Sequence, residues 1–154
     1  MIVELQEAPE FSVADENNNM VSLADFKGSK NVVLYFYPKD DTSGCTIEAN
    51  QFTQFIDEFA KNDTVILGVS KDSSASHADF IAKFGLKVRL LADTDGQLCE
   101  DYGVWQEKEK NGVKKMGIVR STFVIDKEGI VRYVEYGVVP DGHAQAILDR
   151  IIKL

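Results

Sequence analysis

The sequence contains few of the residues that build disulfide-stabilised or metal-dependent domains. Among its 154 residues there are two cysteines, two histidines, three prolines and one tryptophan. The cysteines and histidines form none of the short spacings of a zinc site, and two cysteines far apart in sequence are more often free thiols than a structural bridge. No glycine-rich nucleotide-binding motif is present. We therefore expect neither a metal site nor a cofactor.

Basic residues and long apolar runs are also scarce. The chain has 17 lysines and arginines against 25 aspartates and glutamates, a net charge of −8. Because binding to phosphate backbones requires clustered basic residues, a nucleic-acid partner is not expected. No stretch approaches the roughly 20 apolar residues that span a bilayer, and the N-terminus lacks the basic and apolar regions of a secretory signal. The expected location is the reducing cytoplasm.

Length and patterning indicate a single α/β domain over residues 1–154. Short apolar runs at 31–37 and 64–70 are typical of strands buried on both faces, and each is followed by a segment with helical periodicity. This alternation predicts βαβ units with right-handed crossovers onto a parallel sheet. The first helix is expected to end near Ala60, with an apolar stripe at Phe52, Phe55, Ile56 and Phe59.

The remaining segments predict additions around this centre. Residues 8–23 favour an N-terminal β-hairpin, and the charged stretch 107–115 an exposed hairpin tip. Further elements are expected as a strand at 88–92, a helix at 97–102, and strands at 117–126 and 130–136. A last helix is expected to begin at Asp141 or Gly142. Its apolar stripe is Ala144, Ile147, Leu148, Ile151 and Ile152. The order is that of a thioredoxin-like fold with an N-terminal β-hairpin extension and an insertion before the C-terminal strand hairpin.

Cys45 stands where a polar turn meets the start of the first predicted helix. Pro38 ends the preceding strand because it has no N–H to donate, and Thr42 or Ser43 is available as the helix N-cap. An unpaired cysteine is commonly a small buried apolar residue. The position at a helix start favours a reactive thiol instead.

A helix start alone does not ionise a thiol at neutral pH. An ordinary cysteine, with a pKa of about 8.5, is only a few per cent thiolate at pH 7. A helix N-terminus stabilises a nearby anion by roughly 0.3–1 kcal/mol, whereas lowering a pKa by two units requires about 2.7 kcal/mol. We therefore expect a cation from elsewhere in the chain beside Cys45.

Two motifs resemble those of a known family. Pro38, Thr42 and Cys45 match the Pro-x-x-x-Thr-x-x-Cys motif of the peroxiredoxins, and Arg120 within 117–126 resembles the second active-site motif of that family. Four further segments are similar to the bacterioferritin comigratory protein, or Q-type, branch: Glu48-Ala49, 70–73, 90–93 and 102–105. The resemblance covers nearly the whole chain.

This resemblance implies a thiol-dependent peroxidase that needs no metal, haem or flavin. It would reduce hydrogen peroxide and organic hydroperoxides through a sulfenic acid at Cys45, which thioredoxin or another small thiol would return to the thiol. Arg120 would be the required cation and Thr42 a contact for the thiolate or the peroxide. Pro38 would shield the thiolate from water, and Glu48 would orient Arg120.

Each supporting residue also has a structural alternative. Thr42 could serve only as an N-cap and Pro38 only as a turn residue. Arg120 could lie on a solvent-facing strand, and Glu48 could be a first-turn carboxylate that favours the helix. Lys39, Asp40 and Asp41 are expected to form a solvated loop, and His77 and His143 to be partly satisfied structural histidines.

Cys99 is the open question among the site residues. In many relatives of the branch a resolving cysteine lies five residues after the reactive one, and that position here is Asn50. A one-cysteine cycle is therefore expected, in which an external thiol attacks Cys45 directly. The alternative is a two-cysteine cycle with Cys99 resolving, which would require the two Cα atoms to come within about 7 Å.

Two other functions compete with the peroxidase. A thiol-disulfide oxidoreductase on the same fold is disfavoured because Cys45 is followed by Thr46, Ile47 and Glu48 rather than by a Cys-x-x-Cys pattern. The third hypothesis is a non-enzymatic, thioredoxin-like binding module in which Cys45 is inert. A monomer is expected, since no exposed apolar stripe requires a partner.

Overall fold

A mixed five-stranded sheet lies at the centre of the molecule. The computed structural model describes residues 1–154. The strands are β1 (Ser12–Ala14), β2 (Met20–Ser22), β3 (Asn31–Phe36), β4 (Thr64–Ser70), β5 (Arg89–Ala92), β6 (Trp105–Lys110), β7 (Val113–Ile118), β8 (Ser121–Ile125) and β9 (Val131–Tyr136). The helices are α1 (Ser43–Gln54), α2 (Ile56–Lys61), α3 (Ser74–Phe84), α4 (Gln97–Asp101) and α5 (His143–Ile152), with a short 3₁₀ turn at Leu23–Phe26.

The strand order of the main sheet is β5-β4-β3-β8-β9. Strand β3 pairs in parallel with β4, and β4 with β5, so the two crossovers through α1–α2 and α3 form the expected βαβ units. Strands β8 and β9 add in antiparallel fashion on the other side of β3. The N-terminal hairpin β1–β2 is also present. The predicted thioredoxin-like α/β fold, with its extension and its insertion, is confirmed.

The sheet separates two apolar clusters. Alternate residues of β3 point to opposite faces, with Leu34 in one cluster and Tyr35 in the other. We call the first the hairpin-side cluster, since it includes residues of the N-terminal hairpin and of α4. The second is the helix-side cluster, which includes residues of α1, α2, α3 and α5. None of the helices is long and apolar enough to cross a membrane.

Three details of the predicted elements are wrong. The first long helix is interrupted at Phe55, whose backbone (φ −101°, ψ 10°) separates α1 from α2. Ile152 belongs to the predicted stripe of α5 but is 59% exposed, because it ends the helix while Ile151 takes the buried position. Gly117–Asp126 is not one strand, since β7 and β8 belong to different sheets and the chain bends between them at Val119 and Arg120.

Strands β6 and β7 form a separate two-stranded ribbon. They pair only with each other, from Trp105–Ile118 at the base to Lys110–Val113 near the tip. Asn111 (φ 53°) and Gly112 (φ 78°) make the turn, and two successive residues with positive φ are typical of a tight I′ hairpin. The predicted exposed tip at 107–115 is therefore the outer part of a longer ribbon.

Candidate active site

The loop between β3 and α1 delivers Cys45 to the first turn of a twelve-residue helix. Cys45 is the third residue of α1 and is 1% exposed. Thr42 holds the N-cap position with extended backbone, but its hydroxyl donates to the Lys39 carbonyl oxygen at 2.8 Å and makes no capping bond. The first-turn N–H groups have no acceptor within the helix, because helical bonding begins with Thr46 N–H to the Thr42 carbonyl. Their partial positive charge lies at the end of the helix that carries Cys45.

Arg120 supplies a cation at the sulfur. Its Nη2 donates to Cys45 Sγ at 3.3 Å, and its Nη1 donates to Glu48 Oε1 at 2.8 Å. The sequence predicts Arg120 on a strand, and this is wrong: Arg120 lies in the bend before β8. Its carbonyl oxygen accepts the N–H groups of Gly137 and Val138, both at 2.9 Å. These two bonds connect the bend to the segment that follows β9. The guanidinium lies against α1, and 13% of the side chain is exposed to solvent.

Glu48 is the anionic partner of Arg120. Its side chain is completely buried, and its Oε2 has no hydrogen-bond partner. Burial raises the pKa of Glu48 to about 7, although the Arg120 charge and hydrogen bond oppose that shift. Burial alone would lower the pKa of Arg120, but Glu48 and Cys45 raise it overall. The guanidinium therefore stays charged beside a carboxyl group that titrates near neutrality.

Two polar groups near the site carried no distinguishing motif in the sequence. The Tyr35 hydroxyl is buried without a partner on the Cys45 side of the sheet, and burial, with Glu48 and Cys45 nearby, raises its pKa well above the ordinary value. His143 Nε2 lies 2.8 Å from Thr122 Oγ1. Burial lowers the pKa of His143, so its imidazole is neutral at pH 7. Only strand alternation around β3 could have placed Tyr35 on this face.

The loop residues before Thr42 differ in their environments. Pro38, Lys39 and Asp41 are exposed, as predicted for the last two. The prediction of a solvated side chain is wrong for Asp40, which is 7% exposed. The reason is that α3 covers it, with His77 Nδ1 2.7 Å from Asp40 Oδ2. His77 is fully buried, and both of its ring nitrogens have partners.

Cys99 lies on the other side of the sheet from Cys45. It belongs to the hairpin-side cluster, whereas Cys45 belongs to the helix-side cluster. Both are free thiols. Cys99 is fully buried, its N–H donates to Asp93 Oδ2 at 2.8 Å, and burial together with Asp93 raises the pKa of its thiol. The structure therefore brings Cys45, Arg120 and Glu48 together and leaves Cys99 apart from them.

One group of side chains has the composition of a metal site. Ligand atoms of Asp40, Asp72 and His77 all lie within 4.8 Å of one another. Each of these residues already has protein partners: Asp72 Oδ2 accepts the Asp40 N–H at 2.8 Å and the Ser70 hydroxyl at 2.7 Å. A hydrogen-bonded cluster accounts for the grouping without an ion.

Comparisons with known proteins show the family to which the chain belongs. Residues 5–134 match the model of the AhpC/TSA family. Peroxiredoxin Bcp of Bacillus subtilis is 47% identical over 130 residues, which cover 84% of this chain and 82% of the relative. Peroxiredoxin Bcp of Escherichia coli K12 is 38% identical over 142 residues, covering 92% and 90%.

A solved structure shows the same architecture. It is the bacterioferritin comigratory protein of Xanthomonas campestris, described for its alkyl peroxide reduction activity and a trapped intermediate/ligand complex. The TM-score is 0.88 at 37% identity, with 93% of this chain and 90% of that chain covered. The chain therefore belongs to the AhpC/TSA family, within its Bcp or Q-type peroxiredoxins.

Proposed function

We propose that this chain is a thiol-dependent peroxidase acting through Cys45. The thiolate attacks the terminal oxygen of a hydroperoxide in line with the O–O bond, a sulfur–oxygen bond forms, and the O–O bond breaks. The leaving oxygen takes a proton and departs as water or an alcohol, while Cys45 becomes a sulfenic acid. The observation that carries this proposal is the 3.3 Å contact between Arg120 Nη2 and Cys45 Sγ at the start of α1.

The surrounding groups suit the charge that develops during the reaction. Arg120 and the first-turn N–H groups stabilise the leaving oxygen as negative charge builds on it, which assists the transition state more than the bound peroxide. The Thr42 hydroxyl donates a hydrogen bond to the Lys39 carbonyl oxygen, so its lone pairs remain available to accept from a peroxide O–H. Glu48 holds Arg120 in place through the 2.8 Å contact, and the family resemblance assigns Pro38 to shielding the thiolate from water.

The proposed substrates are hydrogen peroxide and organic hydroperoxides. The Xanthomonas campestris relative is described for alkyl peroxide reduction, and its similarity over most of the chain supports the same class here. Thioredoxin or another small thiol is the proposed reductant. We further propose that residues 1–154 act as one domain, supported by the single five-stranded sheet with an apolar cluster on each face, and as a cytoplasmic monomer.

A one-cysteine cycle is the proposed route back to the thiol. Cys45 and Cys99 lie in apolar clusters on opposite faces of the sheet, so the sheet itself separates the two thiols. A disulfide needs Cα atoms within about 7 Å, so the folded chain would have to open before the two thiols met. Asn50 occupies the position of a local partner.

Stopped-flow peroxide reduction with thioredoxin as reductant tests the proposal. Wild type and Cys99→Ser should consume peroxide at similar rates, and Cys45→Ser should be inactive. Intact mass after one equivalent of hydrogen peroxide should show one added oxygen on Cys45. A rapid loss of two hydrogens that vanishes in Cys99→Ser would establish the two-cysteine cycle instead. Wild-type protein that consumes no peroxide would favour the binding module.

A further inference from the structure

The loop that presents the reactive cysteine contains a residue in an unfavourable backbone conformation. Asp41 has φ 58°, in the left-handed region that few residues other than glycine adopt readily. Aspartate tolerates this region better than most residues, yet such conformations persist only where neighbouring contacts hold them. Thr42 follows directly, and α1 with Cys45 begins one residue later.

Those contacts come from a buried group centred on the residue before Asp41. Asp40 Oδ2 accepts the Ser76 hydroxyl at 2.8 Å and lies 2.7 Å from His77 Nδ1, while Oδ1 accepts the Tyr37 hydroxyl. We call Tyr37, Asp40, Ser76 and His77 the Asp40 clamp. It joins the end of β3 and the loop to the first turn of α3, and Asp40 and His77 are almost completely buried.

Hydrogen-bond roles fix the number of protons in the clamp. His77 Nε2 lies 2.8 Å from the Leu91 carbonyl oxygen, which can only accept, so Nε2 carries a proton. Nδ1 faces the Asp40 carboxyl group, so one more proton must lie between these two residues. Burial favours the neutral acid, but bonds from His77 and Tyr37 lower the pKa of Asp40 overall. That proton links His77 Nδ1 to Asp40 Oδ2 across the 2.7 Å contact.

We propose that the Asp40 clamp is a positioning device that holds Thr42 and Cys45 in the geometry for peroxide attack. The inference rests on the proposed peroxidase function. The Thr42 hydroxyl is oriented by the Lys39 carbonyl, next to the clamped residue. Arg120 is held separately, through Gly137 and Val138. Releasing the clamp should therefore disturb the peroxide contact at Thr42 while leaving the thiolate stabilised by Arg120.

Two substitutions at Asp40 separate geometry from charge. Asp40→Ala removes the side-chain contacts of Asp40 with Tyr37, Ser76 and His77. The amide of Asp40→Asn can still accept from Tyr37 and donate to a His77 Nδ1 that carries no proton. In a Cys99→Ser background, Asp40→Ala should slow peroxide reduction by about 10- to 100-fold, the cost of small misplacements in an active site. Alkylation of Cys45 by iodoacetamide should change by less than about twofold. Asp40→Asn should retain most of the peroxidase rate.

If Asp40 only stabilised the fold, Asp40→Ala would lower the peroxide rate and the alkylation rate together, because a fraction of the protein would be unfolded, or it would change neither rate. The matched control is Lys83→Gln, which removes an exposed 2.7 Å contact from α3 to Asp41 of the same loop and should leave both rates unchanged. If Asp40→Ala does not fold, Ser76→Ala removes one donor from a partly exposed position. It should still lower the ratio of peroxide rate to alkylation rate.

Nitrogen-15 NMR of the imidazole gives an independent readout. Wild type should show a hydrogen-bonded proton at the contact between His77 Nδ1 and Asp40, whereas Nδ1 in Asp40→Asn should carry no proton. Equal peroxide rates in wild type and Asp40→Ala, or the absence of a proton at the contact between His77 Nδ1 and Asp40 in wild type, would overturn the clamp and leave the peroxidase standing. A wild-type protein that reduces no peroxide would overturn both.

Discussion

Replacing Arg120 by methionine removes the cation at Cys45 while keeping a side chain of similar length. The bond from Arg120 Nη2 to Cys45 Sγ spans 3.3 Å and is largely shielded from solvent. Hydrogen bonds that involve a charged group contribute about 1.5–3 kcal/mol, and each 1.4 kcal/mol corresponds to a factor of ten. We expect Arg120→Met to lower the peroxide rate at neutral pH by about 10- to 150-fold.

The substitution should leave a folded protein. Without Arg120, Glu48 loses the partner that opposes its raised pKa, so it becomes protonated and leaves no bare charge in the core. The assay is iodoacetamide alkylation across pH in a Cys99→Ser background, followed by stopped-flow peroxide reduction. Arg132→Met is the matched control, because Arg132 also pairs with a carboxylate, Asp126 at 3.3 Å, but with 44% of its side chain exposed.

The refuting result is specific. If Arg120→Met were alkylated along the wild-type pH profile and reduced peroxide within about twofold of wild type, the guanidinium would contribute nothing to either step. Activation of the thiol would then have to come from the helix start alone, which supplies too little energy to ionise it.

Three further predictions concern residues around the same site. Burial raises the pKa of Glu48 from 4.5 to about 7, so its contribution to stability is present below pH 4.5 and is lost as the pH rises through 7. Because glutamine does not ionise, the free energy of unfolding of Glu48→Gln should fall by about 3 kcal/mol less than that of wild type over this pH range. The measurement is the urea midpoint as a function of pH, which should vary less in the variant. A Cβ on Gly44 would lie 3.0 Å from Arg120 Nη2, so Gly44→Ala should slow peroxide reduction about tenfold, measured by stopped flow, without lowering the thermal midpoint. A Cβ on Gly68 would lie 2.7 Å from Tyr35 Cζ, so Gly68→Ala should destabilise the fold by about 1–3 kcal/mol in urea denaturation.

The sequence predicts the sheet well because its strands and helices carry simple periodicities. The apolar run of β3 and the helical periodicity that follows β4 match the structure closely, and α3 ends at Gly85 with left-handed backbone. Local patterns fail where the answer depends on another element. The break at Phe55 falls inside a regular apolar stripe, and the bend before β8 arises because β7 and β8 pair with different partners.

The candidate site divides in the same way. A physical argument about the thiol called for a cation beside Cys45, and the motif resemblance pointed to Arg120, but the distance between them depends on how β8 pairs with β3. The burial of Asp40 could not be read from a run of charged loop residues, since only packing against α3 creates it. The separation of Cys99 from Cys45 likewise depends on which face of the sheet α4 covers.

The ribbon formed by β6 and β7 has a consequence for how this chain tolerates change. At its base the pairing extends one step further, where Val119 N–H donates to the Val104 carbonyl at 2.8 Å, and its strands pair with no strand of the main sheet. Paired residues can be added or removed at Asn111–Gly112 without shifting the register of β8 and hence the approach of Arg120. The tip is thus a suitable place to attach a fluorophore or an affinity tag while the thiol chemistry is measured.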